Sequence, residues 1–305
     1  METALITGVK SFTGVYLKAE LLDRGYRVHG TVHGAKAAGE NITSLDIRDR
    51  DAVCDLVEGL KPDVVFHLAA ITFVAHRDAE EIYLTNIVGT RNLFEALAKC
   101  THQPRMIIVA SSANIYGQTL IDPIDENTPA NPMSDYSVSK YAMECMTHLW
   151  VDRLPITLVR PFNYTGVGQD KKFLLPKIVD HYARGEAEID LGNLDIARDF
   201  SDVRFITEAY AMLAEGDFAG NVFNICSGYA HSLQQILDMM EKIAGYKINV
   251  IFNPTFARPN EIKSLRGCNK KLFQAVGSMD LIPLQETLSL MYEHQKNGIG
   301  NENRN

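Results

Sequence analysis

"TALITGVKSFTG", residues 3 to 14, joins a short apolar run of strand character to a turn that carries Gly8 and Gly14, six residues apart. "GVYLKAELLDRG" follows as an amphipathic helix closed by Gly25. A helix that starts at such a turn offers free N–H groups and a positive dipole end to a pyrophosphate. On the turn alone, a plain tight strand-to-helix connection is the alternative; its place at the head of a βαβ unit favours the pyrophosphate. Phe12 and Thr13 complete the turn, and Ser11 stands where a central glycine would let the backbone approach the phosphates. A Cβ is thus present where none is expected, and Ser11 either hydrogen-bonds a phosphate or weakens binding.

The same alternation continues along the chain. The strand "YRVHGTVH" is followed by "NITSLDI", a helix over "RDAVCDLVEGL", the strand "PDVVFHLAA", a helix over "EIYLTNIVGTRNLFEALAKC" and the strand "RMIIVASS". Parallel strands require crossovers, so this order predicts an α/β fold with a doubly wound parallel sheet of the Rossmann kind. Past about residue 160, "PITLVRPFN" and "NVFNICSG" still read as sheet strands, while the other segments mix helices, prolines and loops. The expected division is a dinucleotide-binding domain from 1–163 and 199–228, a smaller mixed α/β substrate lobe from 164–198 and 229–296, and a disordered tail, "NGIGNENRN", at 297–305.

With 305 residues, 46% hydrophobic and 22% charged, the chain can bury a sizeable core and form two lobes. A net charge of −8 argues against nucleic acid or an anionic membrane surface as partner, so an anionic ligand must be held locally. Cys54, Cys100, Cys145, Cys226 and Cys268 are odd in number and far apart, with no CxxC, which suits reduced thiols in a cytoplasm. The start reads as a strand rather than a signal peptide, and no run approaches membrane-spanning length. The nine histidines form no HExxH. His29 and His33 would stand roughly 13 Å apart in a strand, too far to share a metal, and none is expected.

At the end of the second strand, "VHGTVHGAK" has no acidic residue to take the adenosine ribose hydroxyls and carries His33 and Lys36 instead. This favours NADP(H) over NAD(H), with a solvated loop as the plain alternative. Asp46 and Ile47 would flank the adenine, Asp46 being equally suited to cap a strand end. Leu68, Ala69 and Ala70, after the fourth strand, would line the cofactor's path.

"SDYSVSK", residues 134 to 140, places Tyr136 and Lys140 one turn apart on one helix face. In a chain with 12 tyrosines that spacing arises about once by accident. "YEHQK" repeats it at Tyr292 and Lys296, where no companions stand nearby and a surface helix is the reading. The first pair has companions. "MIIVASSANIYG" puts Ser111 and Ser112 at a strand's carboxyl end, where open α/β sheets bind ligands. A free phenol, with a pKa near ~10, is a poor base, but a nearby ammonium and a nicotinamide cation favour its anion. Ser112 would hold a substrate oxygen while Tyr136 exchanges its proton, and Lys140 would also meet the nicotinamide ribose. In the reductive direction the phenol is a general acid.

"TGVKSFTG", "LDIRD", "HLAA", "SSANIYG", "YSVSK", "RPFN" and "ARPNE", in that order over nearly the whole chain, resemble the extended short-chain dehydrogenase/reductase family. The resemblance implies chemistry on a sugar nucleotide with Ser112, Tyr136 and Lys140 as the catalytic set. "RPFNYTGVGQ", "GNLDIARDFSDV" and "FNICSG" look most like members that reduce GDP-4-keto-6-deoxy-D-mannose to GDP-D-rhamnose. That likeness implies that Asn163, Arg198 and Arg258 contact the GDP-sugar, the arginines forking onto its diphosphate. Ordinary ion pairs of Arg198 with Asp199 and of Arg258 with Glu261 are the alternative. Relatives that act as 4,6-dehydratases carry acidic side chains just beyond the catalytic hydroxyl residue. Ala113 and Asn114 stand there in this chain, so dehydration is disfavoured. A 4-reductase, a 4-epimerase that keeps its NAD and a non-catalytic cofactor sensor remain. The helices at 82–100 and 136–151 would pair two copies into a homodimer, as in relatives, unless the sheet takes up their apolar faces.

Overall fold

The computed structural model describes residues 1–34, 39–72, 78–256 and 263–302. The chain begins with β1 (Thr3–Thr7), α1 (Phe12–Asp23), β2 (Arg27–Val32), β3 (Ile42–Ser44), α2 (Arg50–Leu60) and β4 (Val64–His67). Next come α3 (Ala79–Tyr83), a π-helical stretch over Leu84–Gly89, α4 (Thr90–Lys99), β5 (Met106–Ala110), α5 (Asp135–Thr147) and β6 (Ile156–Pro161). The second half holds β7 (Asn163–Thr165), α6 (Leu174–Ala183), β8 (Glu188–Leu191), β9 (Ala197–Asp202), α7 (Val203–Glu215), β10 (Val222–Ile225), β11 (Ala230–Ser232), α8 (Leu233–Ala244), β12 (Asn249–Phe252), β13 (Ser264–Leu265), α9 (Lys270–Val276) and α10 (Leu284–Glu302).

Seven strands form one parallel sheet in the order β10-β6-β5-β4-β1-β2-β3. The chain works outward from β1 to β3 and then returns to β4 on the other side of β1. The connections leaving β1 and β4 therefore diverge and open a crevice at their carboxyl ends. Alternate residues of the strands feed separate cores. Ile6, Phe66 and Ile108 pack with Leu17, Phe205 and Tyr210 of α1 and α7, while Leu5, Val65 and Ile107 pack with Val53, Phe94 and Met143 of α2, α4 and α5. Both faces are covered, which is why these strands read as unbroken apolar runs.

A second group of elements builds two small sheets, β11-β9-β13 with β7 on β9, and β12-β8. Its core joins α6, α8 and α10 through Leu175, Ile178, Met240 and Leu288. Three expectations change. The helix read over 81–100 is interrupted by the π-helical stretch. Residues 297–302, expected in a disordered tail, continue α10, while 303–305 lie outside the described residues. Tyr292 is on a helix but buried in the third core rather than at the surface, with the Lys296 amine over its ring.

Candidate active site

A cavity of about 790 Å³ lies over the carboxyl ends of the central strands, walled by Ser11, Phe12, Thr13, Leu68, Ala70, Ser112, Tyr136, Lys140, Asn163 and Arg198 among others. Ten of the expected site residues are thus brought together. Gly8, Gly14, His33, Asp46, Ile47 and Ala69 are outside this wall, and Lys36 and Arg258 fall outside the described residues.

The start of α5 aims Tyr136 and Lys140. Ser134 and Ser137 close a capping box, which satisfies backbone donors at the helix start and sets its first turn. Tyr136 and Lys140 then face inward and are both buried. One turn apart on α5, Ser139 Oγ donates to the Tyr136 carbonyl (2.7 Å) and accepts from Asn86 Nδ2 (2.9 Å). Asn86, in the π-helical stretch, also exchanges two hydrogen bonds with the Ile71 backbone. The helix that carries Tyr136 is thereby fastened to the loop after β4.

Burial pushes the Tyr136 phenol up to about 12, with the Tyr164 phenol adding to the rise and a hydrogen bond with Ser112 opposing it. The Lys140 amine donates to the Ala110 carbonyl at 2.7 Å, and burial takes it down to about 8 against the pull of Glu144. Loss of hydration on burial disfavours both charged forms. The phenol is neutral, as a proton donor must be. Ser112 also caps a short turn by accepting from the Asn114 amide at 3.2 Å.

At the dinucleotide end Gly8 has φ +78°, and a Cβ on Gly14 would stand 2.4 Å from the Gly8 carbonyl oxygen, so both glycines answer to geometry. Ser11 is extended (φ −66°) and needs no glycine; its Oγ caps α1 by accepting from the Gly14 amide at 3.1 Å. The outer glycines and the start of α1 fit a pyrophosphate. Asp46 is clamped by Arg48 at 2.6 to 3.0 Å and held down to about 2 chiefly by that contact. Ile47 packs into the core against Gly89.

Arg198 and Asp199 are neighbours on β9, and successive strand residues point to opposite faces. Arg198 lines the cavity, its Nη1 donating to the Ala197 carbonyl at 2.9 Å. Asp199 is buried and accepts from the Ser227 amide and hydroxyl and from the Gly228 and Gly267 amides. That carboxylate ties three segments together. Asn163 stands at the start of β7, and the adjacent Tyr164 bonds to Thr13 at 2.7 Å and stacks on Phe12.

Several residues in and around the cavity escaped sequence reasoning. Lys172 and Lys177 join Lys140 and Arg198 in the wall, whereas Asp170 is the one carboxylate among the described lining residues and is paired with Lys172 at 3.0 Å. An acidic chain has here concentrated positive charge, as an anionic ligand requires. Their spacing carries no signal along the chain.

His67 is the other omission. Thr90 Oγ1 donates to the Asn86 carbonyl, so it accepts from His67 Nε2 (2.8 Å). Nδ1 then accepts from Thr7 Oγ1 (2.8 Å), which itself accepts from the Leu68 and Ala69 amides. One neutral tautomer satisfies every partner. Burial, aided by the Lys140 charge, lowers His67 to about 3. An unfolded histidine takes its proton near ~6.5, so the unfolded chain binds the extra proton between these values and stability is lost as pH falls below about 6.5. Urea unfolding at pH 7 and pH 5 should show this slope, and His67→Asn should flatten it. Equal slopes in the two proteins would remove His67 as its source.

The sequence profile described as GDP-mannose 4,6 dehydratase matches residues 5–291. GDP-6-deoxy-D-talose 4-dehydrogenase of Aggregatibacter actinomycetemcomitans is 32% identical, over 90% of this chain and 91% of that protein. GDP-6-deoxy-D-mannose reductase of Pseudomonas aeruginosa is 30% identical, over 93% of each. Among solved structures, a Burkholderia cenocepacia protein provisionally named an epimerase superposes with TM-score 0.92 at 45% identity, covering 97% of this chain and 98% of that one. The Pseudomonas aeruginosa structure named RMD, complexed with NADPH, superposes with TM-score 0.87 at 27% identity, covering 98% of this chain and all of that one.

Proposed function

We propose a reductase function within the GDP-mannose 4,6 dehydratase family, to which this chain belongs, as an NAD(P)-dependent nucleotide-sugar enzyme of the extended short-chain dehydrogenase/reductase type. The reaction is reduction of the 4-keto group of GDP-4-keto-6-deoxy-D-mannose to a GDP-6-deoxyhexose such as GDP-D-rhamnose. NADPH, when bound, supplies the hydride. Gly8, Ser11, Phe12, Thr13 and Gly14 would hold its pyrophosphate, with Leu68 to Ala70 along its path, Lys140 at the nicotinamide ribose, and His33 and Asp46 at the adenosine end. Ser112 orients the ketone oxygen, and Tyr136 passes it a proton from a phenol that burial keeps neutral. Arg198, Asn163 and Arg258 take the GDP-sugar, and the cationic wall supports a diphosphate.

One observation carries the choice of reduction over dehydration. Ala113 and Asn114 follow Ser112 in the cavity wall, and neither can remove or deliver the proton that elimination of water needs. The provisional epimerase name of the Burkholderia cenocepacia structure favours a second reading, 4-epimerisation with retained NAD. We also propose a homodimer through α3, the π-helical stretch and α5, where Leu84, Val88, Val138 and Tyr141 expose apolar surface.

Purified protein should consume NADPH stoichiometrically when given GDP-4-keto-6-deoxy-D-mannose, with the carbon-4 configuration of the product read by NMR. Light scattering on the same sample should report twice the 34.0 kDa chain mass. Interconversion of intact nucleotide sugars without net NADPH loss would establish the epimerase instead. Binding of NADPH without turnover on any nucleotide sugar would establish a sensor.

A further inference from the structure

We propose that Ser111 is a further ligand-holding hydroxyl of this site, kept for a ring hydroxyl of a bound sugar. Two buried side-chain oxygens among the described residues have no hydrogen-bond partner, Ser111 Oγ and Ser201 Oγ. Native proteins satisfy nearly all such groups, and the exceptions call for a reason. The two serines are equally buried, at 3% and 2% exposure, so their surroundings distinguish them.

Ser201 sits on β9, opposite Tyr164 in the ladder with β7, and is not part of the cavity wall. Ser111 is part of it. On one side Ala110 offers its carbonyl to the Lys140 amine, and on the other Ser112 lines the cavity with Tyr136. The Ser111 amide donates to the Val159 carbonyl at 2.8 Å, which pins its backbone and leaves rotation of the side chain as its freedom. A serine moves among three staggered positions. A turn of χ1 can therefore re-aim an unpartnered Oγ without breaking an existing bond.

A hydroxyl both donates and accepts, which matches a sugar hydroxyl. Two bound rings carry that chemistry, the ribose next to the nicotinamide and the hexose being reduced. The inference rests on the proposed function, which places both in this cavity. A ligand-free protein that leaves a hydroxyl unsatisfied gives up stability for a group used only in the complex.

Ser111→Ala and Ser201→Ala separate the ideas, because both delete a buried unpaired hydroxyl and only one lies at the cavity. Each should melt at or above the wild-type temperature without ligand. Ser111→Ala alone should weaken a sugar contact about tenfold, the ratio expected for one lost hydrogen bond. Calorimetric titration with NADPH reads the ribose, and KM for GDP-4-keto-6-deoxy-D-mannose at saturating NADPH reads the hexose. A loss in either arm supports the proposal and names the ring. Unchanged values in both arms, or a ligand-free Ser111→Ala that melts well below wild type, overturn it. Wild-type protein that binds neither compound would overturn the proposed function and this inference together, whereas normal wild-type binding with an indifferent Ser111→Ala removes this inference alone.

Discussion

Tyr136→Phe is expected to lower turnover by roughly two to four orders of magnitude, the range for losing a positioned general acid, while the protein folds and binds NADPH much as before. Tyr136 is buried on α5 against Ser112, and phenylalanine keeps the ring and its packing. What disappears is the proton that the ketone oxygen must receive as hydride arrives. Because burial holds the phenol near 12, the ligand-free enzyme carries this proton throughout the usual assay range. Lys140, at about 8, is the nearby group whose charge changes there. The measurements are kcat, an NADPH titration and circular dichroism on the same preparation. A variant that keeps a kcat within a few-fold of wild type would refute the assignment of Tyr136 as the acid.

Asp199→Ala should produce the largest loss of stability. Three backbone amides, those of Ser227, Gly228 and Gly267, donate to this one carboxylate, together with the Ser227 hydroxyl. Alanine leaves those donors buried without partners, at about 1 to 3 kcal/mol each. A loss of about 3 kcal/mol or more is a large part of the roughly 5 to 15 kcal/mol that holds a protein folded. Asp199→Asn should fall between the two, since an amide NH2 then faces some of the donors. Arg198 shares the strand, so the surviving folded fraction should also bind GDP-sugar less well. Urea denaturation decides the matter, and an Asp199→Ala midpoint close to wild type would show that water or local rearrangement satisfies the amides.

Much of the architecture is written locally. The apolar runs of β1, β4 and β5 and the helical stretches between them follow from backbone periodicity and crossover geometry, and the helix over Arg50–Leu60 has the bounds its sequence suggested. Gly8 and Gly14 are legible because their constraints arise within one turn. The helical spacing of Tyr136 and Lys140, and the serines that start their helix, are legible for the same reason. The division of Arg198 and Asp199 between two faces follows from strand alternation once β9 is recognised.

Other features depend on residues distant in the chain. Thr13 meets Tyr164 across 151 positions and Asn86 meets Ser139 across 53, contacts that no local pattern encodes. Lys172 and Lys177 become site residues only when the second group of elements covers the first. The protonation of Tyr136 depends on packing as well, since burial raises its phenol. Hydration free energy, not sequence spacing, governs that equilibrium, and only packing sets how much water remains. From sequence alone came which groups stand together on one helix or turn; the folded structure decided which proton each holds and what walls the cavity, since both depend on burial by segments far away along the chain.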